Sequence, residues 1–146
     1  MWTTLQIDQV FKEDSNYMGT FSMNRLPDLP NSFPKSIIIN TDPANKVGDH
    51  WVALVLTDQR AFYFDSFGIE IINEEVKEFL IPKYTTIIFN NLCIQHISSD
   101  KCGAYCIYFV RSVHDLKSFY KFLSNFSDNN LRMNDMIIMN KIKYLL

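Results

Sequence analysis

The sequence predicts an α+β fold, a β-sheet covered by helices, and three observations carry it. The middle of the chain holds four short apolar runs of β character, several of them apolar on both faces. A segment with helical spacing separates the third run from the fourth, and almost everything beyond Cys102 reads as helix. At 146 residues, 47% apolar and 14% aromatic, residues 1–146 suit a single domain with a substantial core.

In chain order, Leu5, Val10 and Phe11 make the first dozen residues a short, loosely amphipathic helix. The stretch up to Pro34 reads as irregular because Pro27, Pro30 and Pro34 interrupt it. Ser36 to Thr41 is the first apolar run, ended by Asp42-Pro43. His50 to Leu56 is the second, Ala61 to Phe67 the third and Thr85 to Phe89 the fourth. Between the last two, Ile72 to Leu80 has helical spacing and stops before Pro82. A helix is expected from Ala104 to about Phe126, then a break at Ser127-Asp128-Asn129-Asn130, then a helix from Leu131 to Leu146.

Composition excludes several functions. A formal net charge of −2 provides no broad electrostatic footprint for nucleic acid. The N-terminal residues lack a charged segment followed by an apolar one, and no stretch approaches a membrane span, so the expectation is an intracellular protein that is not secreted and has no membrane partner. The three cysteines, Cys93, Cys102 and Cys106, are too few for a disulfide framework and are expected to be reduced. There is no internal repeat or low-complexity tract.

Chemistry concentrates around Cys102. The polar run Ser98-Ser99-Asp100-Lys101 before it and Gly103 after it suggest a helix entry, where unpaired N–H groups favour a thiolate. A cysteine hydrolase also needs an imidazole, a group that orients the imidazole, and donors for an oxyanion. His50 opens the second apolar run and Asp65 lies late in the third, with a tight connection at Thr57-Asp58-Gln59-Arg60. Antiparallel pairing about that turn sets residue 50 opposite roughly residues 65 to 67. His50 and Asp65 then become neighbours at one sheet end. Gln95 offers an amide that donates without titrating, and the backbone N–H of Cys102 is the second expected donor.

Each residue also has a plainer reading. Cys102 alone fits a buried thiol, His50 an edge histidine, Asp65 a strand terminator and Gln95 a loop residue. Cys93, His96, Cys102 and Cys106 lie close in sequence, but no Cys-x-x-Cys pair is present, so a zinc site is disfavoured and no metal or other cofactor is required. Cys106 reads as a small apolar residue on the buried face of its helix.

In order, Gly48-Asp49-His50-Trp51, Phe64-Asp65-Ser66-Phe67-Gly68, Gln95 and Cys102-Gly103 resemble the adenovirus-type, adenain-like cysteine endopeptidases, whose wider clan processes ubiquitin-like proteins such as SUMO. Tyr17 to Phe21 and Ile39-Asn40-Thr41 resemble further family segments, so the likeness spans about residues 16 to 112. It implies His50 as base and acid, Asp65 as its orienting partner, Gln95 as oxyanion donor and Cys102 as nucleophile. It implies a central, mostly antiparallel sheet with the nucleophile opening a helix packed on it. Gly48, Asp49 and Trp51 are then expected near the substrate by adjacency to His50. The implied substrates are polypeptides cut after small, glycine-like residues, viral precursor proteins in particular, in the host nucleus or cytoplasm or in the virion. Family members can require an activating peptide or DNA; here the charge balance argues against DNA and no cysteine clearly matches the peptide-linking one. The chain is also shorter than adenain at its C-terminal side, and Asp65 stands where the adenovirus branch has Glu, as in the SUMO-protease relatives. The alternatives are a SUMO-type isopeptidase and an inactive homologue serving as a binding module.

Overall fold

The computed structural model of the protein describes residues 2–41, 50–71 and 73–145. Gly48 and Asp49 lie outside the described residues, as do the Asp42-Pro43 stop, Ile72 and Leu146.

Five strands form one sheet in sequence order: β1 (Tyr17–Ser22), β2 (Lys35–Asn40), β3 (Trp51–Leu56), β4 (Ala61–Phe64) and β5 (Ile87–Phe89). The pairs β2–β3 and β3–β4 are antiparallel, whereas β1–β2 and β4–β5 are parallel. The sheet is therefore mixed, antiparallel at its centre and parallel at both edges. Parallel neighbours need long crossovers. The chain between β1 and β2 supplies one, and the segment carrying α2 (Glu74–Leu80) supplies the other. β1 falls where the prolines suggested irregular chain. Gly19, at φ +137°, and a register shift between Tyr17 and Thr20 break its alternation, which hides it from pattern reading.

Helices cover both faces. α1 (Thr4–Val10) is closed by a capping box in which Thr3 accepts from Gln6 N at 3.2 Å and Gln6 Oε1 accepts from Thr3 N at 2.9 Å. It lies with α3 (Cys102–Ser112), α4 (Leu116–Leu123) and α5 (Leu131–Ile142) over the face that presents Ile38, Ala53, Val55, Phe62 and Phe64. α2 and the segment before β2 cover the other face, which presents Ile37, Ile39, Val52, Leu54 and Tyr63. This is why β3 is buried along its whole length and reads as a continuous apolar run. The long helix expected from Ala104 to Phe126 is two helices. Val113 is extended at φ −101°, ψ 127°, and Asp115 starts α4 by accepting from Ser118 N at 2.8 Å.

Candidate active site

The β3–β4 hairpin turns where Thr57 N donates to Arg60 O at 3.0 Å, and its register pairs Ala53 with Phe64. Continued three positions, that pairing sets residue 50 level with residue 67, so the end of the hairpin brings His50 beside the Asp65-Ser66-Phe67 segment. His50 Nε2 lies 2.9 Å from Asp65 Oδ1. The ring of Phe67 stacks on the imidazole with centroids 5.0 Å apart, and Thr41 N donates to His50 O at 3.1 Å. Backbone and ring are therefore both held.

Asp65 sits one residue past β4 and is only 4% exposed. Its Oδ1 also accepts from Phe67 N at 2.8 Å. Buried Asn90, just beyond β5, grips its backbone, accepting from Asp65 N at 3.1 Å and donating to Asp65 O at 2.6 Å. A carboxylate fixed on so many sides pays little ordering entropy when it holds the imidazole.

Cys102 is the first residue of α3 and is buried at 2% exposure. Lys101 caps the helix without a side-chain hydrogen bond, so the cap places no acceptor oxygen on the first-turn N–H groups. The helix can start this close to the N-terminal segment because residue 103 is glycine: a Cβ there would lie 2.8 Å from Trp2 Cβ. Trp51 tightens the same corner, its indole N–H donating to Trp2 O at 3.2 Å. At 2% exposure, Trp51 has little surface to offer a substrate.

Electrostatics couple His50 to both neighbours. Burial, the largest single influence, pushes its pKa down, but hydrogen bonds and charge from Asp65 and from Cys102 together outweigh burial and raise it to about 10. With Nε2 directed to Asp65, Nδ1 is buried and has no partner of good hydrogen-bond geometry among the described residues. Cys106 behaves differently: complete burial, then the charges of Cys102 and Asp65, push its thiol well above the ordinary range. It is held as a neutral, inert thiol.

Gln95 is 1% exposed and fully oriented. Its Oε1 accepts from the Ser66 hydroxyl, its Nε2 donates to Ser99 O at 2.9 Å, and its backbone N donates to Ser66 O at 3.1 Å. Gly68 lets this loop approach. It adopts φ +73°, and a Cβ there would stand 2.6 Å from the backbone carbon of Leu92. From the other side Asn134 on α5 donates to Ile94 O at 2.9 Å.

The structure thus brings His50, Asp65, Cys102 and the Gln95 loop to one end of the sheet. Sequence reasoning missed Asn90, Phe67, Asn134 and Trp2; the two asparagines carried no signal, since each lies beside a further polar residue, Asn91 or Asp135. Among the described residues no three His, Cys, Asp or Glu side chains converge as metal ligands do. Nor is any helix among them long and apolar enough to cross a membrane.

No protein-family model matches the chain. It is similar to the protease of snake adenovirus serotype 1, at 26% identity over 118 residues covering 69% of this chain and 58% of that protein. It is also similar to the protease of bovine adenovirus 7, at 28% identity over 133 residues covering 79% of this chain and 61% of that protein. The chain spans about three fifths of the length of these curated relatives. Among solved structures it shares its fold with the ASFV protease, at a TM-score of 0.54 and 18% identity over 94% of this chain and 66% of that one. The likeness to adenovirus-type proteases read from the motifs is thus found again in whole-sequence comparison.

Proposed function

We propose that this chain is a thiol endopeptidase of adenovirus type, with Cys102 as nucleophile, His50 as proton carrier, Asp65 as its orienting partner and Gln95 as oxyanion donor. The single observation that carries the reading is the His50–Asp65 pair at 2.9 Å, with an imidazole that Cys102 and Asp65 together drive toward its protonated form. Such an imidazolium balances a thiolate on Cys102.

In the first step Sγ attacks the carbonyl carbon of the scissile bond. The oxyanion is met by the Gln95 amide and the backbone N–H of Cys102. His50 gives its proton to the leaving amine as the C–N bond breaks, which leaves a thioester on Cys102 and a neutral imidazole. His50 then takes a proton from water, whose oxygen attacks the thioester. A carboxylic acid departs and the thiolate–imidazolium pair is restored. Asp65 accepts from Nε2 throughout and keeps the imidazole aimed.

The substrate class we propose is polypeptide, cut after small residues such as glycine, with viral precursor proteins as the natural source. The similarity to adenovirus proteases supports it. Digesting a peptide library with wild type and Cys102→Ala in parallel tests activity and specificity together. The expected result is cleavage after glycine-like residues, reduced about 10³-fold or more in the variant. Cleavage unchanged by Cys102→Ala would refute the reading, and release of only ubiquitin-like Gly-Gly conjugates would transfer the same chemistry to isopeptide substrates.

A further inference from the structure

We infer that Ser66 is a positioning residue for the oxyanion amide: its hydroxyl sets which way the Gln95 side chain faces. The inference rests on the endopeptidase reading above.

A glutamine amide has two nearly isosteric ends, and only the N–H end stabilises an oxyanion. At Gln95 the choice is made by two groups, the fully buried Ser66 hydroxyl and the half-buried Ser99 carbonyl. The Ser99 carbonyl is purely an acceptor and sits 2.9 Å from Nε2, so it excludes the amide oxygen from that position. The Ser66 hydroxyl donates to Oε1 at the other end. Ser66 is fully buried and Gln95 is 1% exposed, so water cannot replace the contact between them at low cost. Among the described residues Ser99 is the only acceptor for Nε2, which has a second N–H for an oxyanion.

The placement of Ser66 is what makes the device informative. Asp65, one residue earlier, holds His50, and Phe67, one residue later, stacks on the same imidazole. The carbonyl of Ser66 also accepts from Ile94 N at 2.9 Å and from Gln95 N at 3.1 Å. One three-residue turn after β4 therefore orients both the proton carrier and the oxyanion amide. Strand end and loop cannot drift apart without disturbing both functions.

A double-mutant cycle tests the inference, using Ser66→Ala, Gln95→Ala and the double variant with the peptide cleaved best by wild type. Gln95→Ala is expected to lower kcat by about 10²-fold or more, as loss of one oxyanion donor does. Ser66→Ala is expected to lower kcat about tenfold with KM unchanged, and to add less than about twofold in the Gln95→Ala background. Alkylation of Cys102 forms no oxyanion, so its rate and pH profile should match wild type in Ser66→Ala. Full activity in Ser66→Ala, or losses that multiply in the double variant, would overturn the inference. If Ser66→Ala is unstable, the isosteric pair Ser66→Thr and Ser66→Val separates hydroxyl from volume, with Thr expected to retain the activity that Val loses.

A wild type that cleaves no peptide would sink the endopeptidase reading instead. Ser66 would then be judged on the NMR signal of the Gln95 side-chain amide, assigned by its absence in Gln95→Ala. That signal should move in Ser66→Val and stay near its wild-type position in Ser66→Thr; equal positions in both variants would contradict the role.

Discussion

His50 carries a charge that the fold stabilises, and in the proposed mechanism that charge ties catalysis to pH. Its pKa in the folded chain, about 10, lies above the ordinary histidine value of 6.5, so between these values the folded protein keeps a proton that the unfolded chain releases. The resulting stabilisation is complete below about pH 6.5 and is lost as pH rises toward about 10. Urea midpoints measured across that window should fall with pH in wild type and flatten in Asp65→Asn, which removes the partner charge at nearly constant shape. NMR titration of the same variant should move the His50 pKa downward, and its kcat should fall by about 10²-fold or more. The residues in this pair were legible from the sequence because each is a chemically special type at an ordered spacing. Phe67 and Asn90 were not. A stacked ring and a buried amide look like ordinary core and loop residues until the backbone that they brace is known.

At the scale of elements, the site depends on close approaches that only glycine allows. Gly68→Ala combines positive φ with a Cβ 2.6 Å from the Leu92 backbone carbon, so we expect a loss of about 1–3 kcal/mol of stability and a displaced Gln95 loop. Denaturant unfolding and peptidase activity should fall together. Gly103→Ala meets the Trp2 side chain instead, at 2.8 Å, and should be partly relieved by Trp2→Gly in an unfolding cycle. α5 contributes through Asn134, which is fully buried, donates to Ile94 O and Ser127 O and accepts from Ser127 N at 2.9 Å. Asn134→Ala should cost about 1–3 kcal/mol in denaturant unfolding, because Ile94 O is left buried and unpaired and the half-buried Ser127 backbone loses its partner. The apolar strands and α2 were readable from periodicity. β1 was not, since Gly19 and a register shift interrupt its alternation, and neither was the break at Val113, a β-branched residue between two apolar segments that reads as continuous helix.

Over the molecule as a whole, a sheet buried on both faces provides the rigid frame on which these short segments are placed. Leu54 is fully buried in the face covered by α2, away from the site. Leu54→Ala should therefore cost about 2–5 kcal/mol of stability while leaving the His50 pKa unchanged in the folded fraction. The fold class was legible because β3 and β4 are apolar along their whole length, which requires a covering layer on each side. The parallel edges were not, because strand direction depends on crossovers that leave no periodic trace. The central claim is that this frame makes one thiol of three a nucleophile through His50. It is tested most directly by incubating the protein with a glycine-terminated peptide bearing a thiol-reactive electrophile, then locating the adduct by tandem mass spectrometry. The account predicts one adduct, on Cys102, that forms far more slowly in His50→Ala; equal labelling of exposed Cys93, or a Cys102 rate indifferent to His50, would contradict it.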